Sequence, residues 1–270
     1  MKKIAILVAG GTGLRMNSTI PKQFLLLDGK PVLMHTLEAF YQSEPRPEIV
    51  VVLNVDFHEY WEKLCRTYQC IIPHTLVKAG QERFFSVKNG LKLVKGKALV
   101  AIHDAVRPII KKDKIEQAFS YAEVHGNAVL AIPSKDSVRL SDTKENKAVA
   151  RELVYLIQTP QIFTSNMLKK AYQQEFRTSF TDDASVVEGS GERICGRRSS
   201  EVRLGFARLA FHSRWLGNFG DRSEVAHRQL GGAGSVLRRE RSRDRAHYRG
   251  SGNKRARIGC LDCGSHEKGL

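Results

Sequence analysis

Short apolar runs alternate with segments of helical periodicity over the first half of the chain. Aliphatic and β-branched residues fill positions 4–8, 49–53, 98–102 and 128–132, a composition typical of strands buried on both faces. Between these runs, apolar residues recur at the i, i+3, i+4 and i+7 spacing of an amphipathic helix. The alternation predicts an α/β fold with a doubly wound, mostly parallel, Rossmann-like sheet.

The helical segments each present one apolar face toward the predicted sheet. Pro31 stands at the first turn of the first helix, where its missing N–H loses no hydrogen bond. Cys65 lies on the apolar face of the second helix, which indicates a packing role. The predicted faces are Leu33, Leu37 and Phe40; Trp61, Leu64, Cys65 and Tyr68; Phe84, Val87, Leu91 and Val94; and Ile115, Ala118, Phe119 and Ala122.

A polar segment at residues 134–150 interrupts this alternation. Its sequence is SKDSVRLSDTKENKAVA, which is too charged to form a core element. Charged insertions of this kind form solvated loops or excursions from the sheet. We therefore expect residues 134–152 to form either a protruding β-arm or a solvated loop.

The first predicted strand runs into a glycine-rich turn that is followed by two cations. Residues 4–23 read IAILVAGGTGLRMNSTIPKQ. Glycine permits positive φ and close approach, so backbone N–H groups from Ala9 to Gly13 can point at an anion, while Arg15 and Lys22 supply formal charge. The segment predicts a phosphate-binding loop, and a tight strand-to-helix turn without a ligand is the structural alternative.

Two familiar glycine motifs do not fit this turn. A P-loop requires Gly-Lys-Ser/Thr after its second glycine, whereas Gly13 is followed by Leu14 and Arg15. A dinucleotide fingerprint requires a third glycine at the position that Met16 occupies. The expected phosphate loop is therefore of a different kind.

Polar side chains follow the ends of other predicted elements. Ligands of open parallel sheets bind at the carboxyl ends of the strands, so groups placed after strands are candidates for function. They include Asp104 and Arg107 in the sequence HDAVRP, residues 134–137, and Thr159 in QTPQ. Asp104 is the strong acidic candidate, either for acceptor hydroxyls or for a Mg2+ ion that a triphosphate largely chelates.

Basic charge is concentrated at the end of the chain. Residues 1–195 contain 27 Lys and Arg against 21 Asp and Glu, whereas residues 196–270 contain 17 against 7. The cations of the second part are almost all arginine, a switch that is unusual inside one domain. The modest positive balance of the first part suits an enzyme of polyanionic substrates, because a basic cleft attracts phosphates.

The five cysteines form no regular framework, which is typical of a reducing compartment and predicts no disulfide. The N-terminus lacks a signal-peptide pattern. No run approaches the roughly 18 apolar residues of a membrane helix. The expectation is a cytoplasmic protein without a membrane partner.

The glycine turn and the Pro-Lys-Gln that follows it resemble those of a known family. Ala-Gly-Gly-x-Gly-x-Arg-Met followed by Pro-Lys-Gln is similar to the loop of the sugar-phosphate nucleotidyltransferases. Pro-Lys-Gln-Phe and the later motifs are most similar to the 2-C-methyl-D-erythritol 4-phosphate cytidylyltransferases of non-mevalonate isoprenoid synthesis, and ribitol-5-phosphate cytidylyltransferases share these motifs. The resemblance implies CTP and a polyol phosphate as substrates, a divalent cation such as Mg2+, and a homodimer clasped by the arm.

The resemblance also implies roles for individual residues. Arg15 and Lys22 match the cations that stabilise the transition state, and Arg151 matches the residue that places the acceptor phosphate for attack. Gln81 stands where the family often has Asp, and Ser137 replaces the usual Thr, but both retain a hydrogen-bonding group. The implied nucleotide site comprises Ala9, Gly10, Gly11, Gly13, Gly80, Gln81, Ser86 and Asp104, and the implied acceptor site Asp104, Arg107, Ser137, Arg151, Thr159 and Thr181.

Two of these motifs also have a structural interpretation. His103, next to Asp104, is expected to pack at a strand end rather than to act as a base. The sequence TDDAS at residues 181–185 is typical of a helix N-cap with an acidic first turn. That role is compatible with a ligand contact by Thr181.

The resemblance covers residues 1–194 and then stops. The family continues with a segment like Asn-Ile-Lys-Ile/Val-Thr and a closing helix, and no such segment follows here. Residues 196–270 hold 12 of the 22 glycines and many Arg and Ser, a composition typical of disordered polypeptide. Our hypothesis is a cytidylyltransferase domain at residues 1–194 and an aberrant basic tail at 195–270, translated out of frame.

Two functional interpretations of the tail stay open. Its sequence RRERSRDRAHYRG offers arginines for nucleic-acid phosphates and Tyr248 for stacking, although such tracts are often only solvated. Cys260 and Cys263 form a single CxxC motif, which is weak evidence for zinc without a second half. A catalytically impaired nucleotide- or RNA-binding protein is thus the alternative to an active enzyme.

Overall fold

Ten strands lie in the part of the chain that the computed structural model describes, residues 1–11, 20–142 and 145–194. They are β1 (Lys2–Ala9), β2 (Leu26–Leu27), β3 (Lys30–Pro31), β4 (Glu48–Leu53), β5 (Thr75–Lys78), β6 (Ala98–Asp104), β7 (Asn127–Pro133), β8 (Val138–Ser141), β9 (Asn146–Val149) and β10 (Tyr155–Thr164). Six of them form one sheet in the order β5-β4-β1-β6-β10-β7, and the others form two small antiparallel pairs. Strands β5, β4, β1 and β6 pair in parallel, which confirms the predicted mostly parallel sheet.

Helices cover both faces of this sheet. They are α1 (Val32–Tyr41), α2 (His58–Thr67), α3 (Arg83–Leu91), α4 (Lys112–His125), α5 (Ser165–Ala171) and α6 (Asp183–Gly189). Alternate residues of the central strands point to opposite faces, so Ala5 and Leu7 pack with α1, α2 and α4, while Ile4 and Ile6 pack with α3, α5 and α6. Both faces are therefore buried, as the near-continuous apolar runs predict.

Strand β10 departs from the predicted order of elements. It runs antiparallel to both of its neighbours, β6 and β7, and lies between them. Thr159 is therefore not placed after a strand, as the sequence suggested, but lies inside β10. Because β10 runs in the opposite direction, its middle passes the carboxyl end of β6, and Thr159 still arrives beside Asp104.

The predicted helical faces are buried with few exceptions. Trp61 is fully buried, whereas Cys65 on the same helix is half-buried at the edge of the core. Val94 is buried but follows the end of α3. No helix in the described ranges is long and apolar enough to cross a membrane.

The polar segment after β7 forms a hairpin. Strands β8 and β9 pair only with each other among the described strands, and Arg139 bonds Asn146 across them at 2.6 Å. A short 3-10 helix, Arg151–Leu153, leads from the hairpin into β10. Between the two interpretations that the sequence allowed, the structure thus favours a protruding arm.

Candidate active site

A cavity of about 580 Å³ opens at the carboxyl ends of β1 and β6. This is the edge where ligands bind in parallel α/β sheets. Eight residues predicted for function line it together: Ala9, Gly10, Gly11, Lys22, Gly80, Gln81, Ser86 and Asp104. The other lining residues are Val8, Gln23, Glu82, Arg83 and Val106.

Gln23 holds the start of the glycine turn in place. Its buried side-chain amide donates hydrogen bonds to the carbonyls of Ala9 at 2.8 Å and Gly11 at 3.1 Å. With both carbonyls fixed by Gln23, the turn is tied to the segment that carries Lys22. In the sequence Gln23 is notable only as part of the Pro-Lys-Gln motif, because its partners are backbone carbonyls 14 and 12 positions away.

Lys22 is the first residue of a short 3-10 helix, Lys22–Phe24, and the last residue of this helix anchors it in the core. Phe24 is buried and contacts the rings of Tyr60 and Trp61 at centroid distances of 5.2 and 6.3 Å. Within the described ranges, no carboxylate forms an ion pair with Lys22. Its charge is therefore not neutralised by these residues, while its backbone is fixed by the aromatic contacts.

The glycine turn packs tightly against the start of α3. A Cβ atom on Gly10 would lie 2.8 Å from the Ala79 Cβ and 3.2 Å from the Ser86 Oγ. The same Ser86 hydroxyl accepts a hydrogen bond from the Gly80 N–H at 3.0 Å. The two predicted nucleotide-binding segments thus meet through small residues, and glycine at position 10 is required by the close approach.

Two arginines hold the carboxylate of Asp104. Its Oδ1 lies 3.3 Å from the Arg83 Nε, and its Oδ2 lies 3.0 Å from the Arg107 Nε. Arg107 also donates to the Gln158 side-chain carbonyl at 2.7 Å. The carboxylate is therefore oriented at the cavity wall by cations on both sides.

Arg83 is a site residue that the sequence analysis did not select. Its guanidinium also pairs with Asp183 at 2.7 Å, and Asp183, which is fully buried, accepts a 2.6 Å hydrogen bond from the Tyr172 hydroxyl. Burial alone would lower the pKa of Arg83, but the charge of Asp183 and then that of Asp104 raise it above its ordinary value. Burial and then Asp183 also raise the pKa of Tyr172, so its hydroxyl keeps the donated proton.

The same contact anchors the start of α6. Asp182 caps this helix, since its side chain accepts from the Ser185 N–H at 2.8 Å while the Ser185 hydroxyl completes a capping box. The predicted N-cap is confirmed, and Asp183 provides the acidic first turn. Asp183 and Arg83 are 100 positions apart, so no local sequence signal could have paired them.

His103 lies beneath the site and is neutral. It is fully buried, and burial lowers its pKa to about 4. Its Nε2 lies 3.1 Å from the Arg107 carbonyl and its Nδ1 lies 3.0 Å from the Thr159 hydroxyl. The Thr159 oxygen accepts from the Asp104 N–H at 3.3 Å, which leaves its own proton for Nδ1 and assigns the Nε2–H tautomer. His103 is thus a packing residue, as predicted.

The remaining predicted residues do not line the cavity. Arg107, Ser137, Arg151 and Thr181 are exposed, and Thr159 is buried beneath Asp104. Arg151 bonds Glu152 at 3.3 Å. Gly13 and Arg15 lie outside the described residues, as does the whole tail at 195–270.

The described residues contain no ready-made metal cage. No group of three or more His, Cys, Asp or Glu side chains in these ranges could hold a metal ion. Asp104 and Glu82 are the carboxylates that line the cavity, and each oxygen of Asp104 has lone pairs beyond the single arginine contact it accepts. So few carboxylates fit a Mg2+ ion carried mainly by substrate phosphates and do not fit a metal bound by protein groups alone.

Comparison with known proteins identifies the family to which the chain belongs. The family profile described as 2-C-methyl-D-erythritol 4-phosphate cytidylyltransferase matches residues 3–197. A relative of that name from Azobacteroides pseudotrichonymphae is 48% identical over 194 residues, which are 72% of this chain and 86% of the relative. Another, from Phocaeicola vulgatus, is 45% identical over 195 residues, 72% of this chain and 89% of the relative.

Solved structures agree with the sequence relatives. The crystal structure of 4-diphosphocytidyl-2C-methyl-D-erythritol synthase from Anaerococcus prevotii matches with a TM-score of 0.61 and 27% identity, covering 71% of this chain and 83% of that one. The 2-C-methyl-D-erythritol 4-phosphate cytidylyltransferase from Francisella tularensis matches with a TM-score of 0.59 and 27% identity, covering 72% of this chain and 88% of that one. The resemblance and fold predicted from the sequence are therefore confirmed.

Proposed function

The chain belongs to the 2-C-methyl-D-erythritol 4-phosphate cytidylyltransferase family, and on this premise we propose its reaction and the part that each site residue plays in it. The enzyme transfers CMP from CTP to 2-C-methyl-D-erythritol 4-phosphate, forming 4-diphosphocytidyl-2-C-methyl-D-erythritol and pyrophosphate. The observation that carries this function is the family match, which spans the whole described sheet and every segment that lines the cavity. It favours methylerythritol phosphate over ribitol phosphate as the acceptor.

The nucleotide binds between the glycine turn and the start of α3. Backbone N–H groups of Gly10 and Gly11 face the triphosphate, since close approach without side chains favours anion binding there. Gly80, Gln81 and Ser86 select the cytidine. The support for this placement is that all five residues line one cavity and that Ser86 contacts the backbone of Gly80.

Lys22 stabilises the transition state. The acceptor phosphate attacks the α-phosphorus in line with the departing pyrophosphate, and negative charge accumulates on the surrounding oxygens. A fixed, unneutralised cation at the cavity wall lowers the energy of this state more than that of the substrates. Arg15 serves the same purpose by family resemblance.

The acceptor binds beside Asp104. Asp104 accepts hydrogen bonds from the acceptor hydroxyls while Arg83 and Arg107 orient its carboxylate. Arg151 binds the acceptor phosphate and directs it to the α-phosphorus. Arg107, Ser137, Thr159 and Thr181 complete the acceptor site.

A divalent cation such as Mg2+ accompanies the CTP. When bound, it neutralises phosphate charge and favours departure of pyrophosphate. Asp104 is the described residue that would hold it, with the phosphates as the remaining ligands. This chain's own contribution is the orientation of Asp104 by its two arginines.

The arm joins two copies of the chain into a homodimer. Exposed apolar side chains lie on the arm and where it rejoins the sheet: Leu140 is 66% exposed, Leu153 78% and Leu156 53%. Large exposed apolar side chains that cluster in one region are typical of a protein interface. Arg151 is close to Leu153 in the chain. A second subunit that packs against these apolar side chains therefore lies beside Arg151 when Arg151 binds the acceptor. The cytoplasmic location remains a prediction.

The test is pyrophosphate release from CTP, with Mg2+ and either methylerythritol phosphate or ribitol phosphate. Release is expected with methylerythritol phosphate, and Lys22→Ala should reduce kcat by about 10²–10³-fold, the usual effect of removing one transition-state contact. Lys97→Ala is the matched control, because Lys97 is exposed and precedes β6 at the opposite edge of the sheet.

Two outcomes would contradict the proposal, and a third would test the tail separately. Release with ribitol phosphate alone would assign the other acceptor. CTP binding without release from either acceptor would favour an impaired nucleotide-binding protein, in which the tail at 195–270 has replaced the family's closing segment. A salt-dependent affinity for RNA in the same preparation would support the RNA-binding interpretation of the tail.

A further inference from the structure

The carboxyl end of α2 brings two cysteines together. Gln69 has a left-handed backbone with φ of +52°, and the chain reverses there in a Schellman motif. The Cys70 N–H donates to the Cys65 carbonyl at 2.9 Å, and the Gln69 N–H donates to the Arg66 carbonyl at 3.3 Å. This motif places the side chains at its two ends in contact, a place that apolar residues commonly occupy. Here both positions are cysteine.

The two thiols are neighbours and are partly exposed to solvent. The Schellman motif brings their side chains together, and both cysteines are free and half-buried. Cys65 also lines a cavity of about 520 Å³ next to Arg66, His74 and Trp61. A small reagent can therefore reach Cys65 from this cavity and Cys70 from its partly exposed side.

We infer that Cys65 and Cys70 form a thiol–disulfide exchange site, which a low-molecular-weight disulfide such as glutathione disulfide oxidises to a reversible bond across the end of α2. This departs from the expectation from sequence, which predicted no disulfide and assigned Cys65 to packing. The structure holds the reduced form. The inference is independent of the proposed catalytic function.

The two cysteines have different chemical roles in this exchange. Hydrogen bonding by the Cys65 thiol lowers the pKa of Cys70 against the opposing effect of burial, which favours the thiolate form of Cys70. The same hydrogen bond, with burial, raises the pKa of Cys65. Glu62 and Arg66 lie near Cys65, and Glu38 and Lys30 lie near Cys70. Cys70 is therefore the attacking group and Cys65 the resolving one.

The exchange balances in two steps. The Cys70 thiolate attacks one sulfur of glutathione disulfide, forms a mixed disulfide and expels one glutathione thiolate. The Cys65 thiol then loses its proton, attacks the Cys70 sulfur and expels the second glutathione. Two protein thiols are oxidised to one disulfide, and one glutathione disulfide is reduced to two glutathione molecules.

The sequence allows a direct test on the full chain. Trypsin cleaves after Lys63, Arg66 and Lys78, so Cys65 and Cys70 fall on different peptides, 64–66 and 67–78. After incubation with glutathione disulfide and alkylation of the remaining thiols, mass spectrometry should find these two peptides linked and separable by a reductant. Cys195, Cys260 and Cys263 fall on other peptides and do not interfere. Recovery of both peptides unlinked would overturn the inference.

Two further measurements test the roles and the geometry. Cys65→Ser should trap glutathione on Cys70 as a lasting mixed disulfide, whereas Cys70→Ser should take up glutathione at least tenfold more slowly. Equal uptake by both variants would contradict the assigned roles. At a fixed ratio of glutathione to its disulfide, the linked fraction should also fall in urea, since the helix end then no longer holds the thiols together. A linked fraction unchanged by urea would show that sequence proximity alone produces the bond.

Discussion

Buried groups hold the nucleotide side of the proposed site, whereas most residues of its acceptor side stand in solvent. On the nucleotide side, Gln23 fixes the glycine turn through two carbonyls, and the Ser86 hydroxyl joins Gly80 to α3. On the acceptor side, Arg151 and Thr181 are exposed, and Arg151 bonds only its neighbour Glu152 and, at 3.5 Å, the Lys135 carbonyl among the described residues. The described part of one chain builds the nucleotide side, and our proposal is that the acceptor side takes its final form around the substrate and a second copy.

This difference indicates which substrate the enzyme is organised to meet first. A rigid nucleotide site loses little conformational entropy on binding, while an exposed acceptor site must order several long side chains. CTP binding should therefore survive changes that abolish acceptor binding. The variants and conditions below test this division, from the largest expected effect to the smallest.

Lowering the pH should destabilise the fold through His103, which is buried beneath the acceptor side. His103 has a pKa of about 4 in the folded protein and about 6.5 when unfolded, so the unfolded chain binds the extra proton first as pH falls. Its stabilising contribution is complete above pH 6.5 and is lost between about pH 6.5 and 4, amounting to about 3 kcal/mol of unfolding free energy. Urea denaturation at a series of pH values measures it. His103→Gln should be less stable at neutral pH but should show a flatter pH dependence; parallel curves would contradict this account.

Adding one methyl group should have different effects at two neighbouring glycines on the nucleotide side. Gly10→Ala places a Cβ 2.8 Å from the Ala79 Cβ, so it should destabilise the protein by about 1–3 kcal/mol and weaken CTP binding. Gly11→Ala meets no described atom within 4 Å and should change stability by less than about 0.5 kcal/mol. Thermal unfolding and calorimetric CTP titration compare the two. Equal stability of both variants would mean that the turn is not as tightly held as we describe.

Removing the arm cation should affect one substrate only. Arg151→Ala should raise the KM for methylerythritol phosphate by about tenfold, since a charge-assisted hydrogen bond contributes about 1.5–3 kcal/mol. The KM for CTP should remain unchanged. Lys147→Ala is the control, because Lys147 is an exposed cation on the same arm. A parallel rise in the KM for CTP would break the proposed division between the two sides.

Truncation of one hydroxyl should affect stability without affecting catalysis. Tyr172→Phe deletes the 2.6 Å hydrogen bond to Asp183 but leaves the Arg83 contact, so unfolding free energy should fall by about 1 kcal/mol. The two KM values and kcat should stay within the error of the wild type. A change in kcat would place Tyr172 closer to the chemistry than its buried position indicates.

Local patterns in the sequence predicted the elements and the nucleotide side well. Ile4 and Leu7 belong to an apolar run that can only be a buried strand, and the glycines after it point to a ligand because side chains are missing. The cavity confirms that Lys22, Gly80 and Asp104 gather at one edge. Their roles in catalysis remain predictions.

Contacts between residues far apart in the chain could not be predicted from the sequence alone. No residue near Arg83 in the sequence indicates that Arg83 pairs with Asp183, because the contact depends on how α6 packs in the folded chain. The apolar run in β10 is broken by Gln158, Thr159 and Gln161, which concealed a central strand. Their polar groups are satisfied by particular tertiary partners, such as His103 for Thr159 and Asp182 for Gln161. Only the folded chain reveals such partners.

The position of β10 in the sheet also delays completion of the sheet while the chain is being synthesised. In the described sheet β7 pairs with β10 alone, and β10 is the neighbour of β6 on that side. Strand β7, residues 127–133, leaves the ribosome before β10, residues 155–164. Strands β6 and β7 therefore lack their common neighbour β10 until the arm has been translated. At about 5–20 residues per second, that interval lasts about one to four seconds. Throughout it the nascent sheet offers an open edge to other chains, and a longer arm would prolong the exposure.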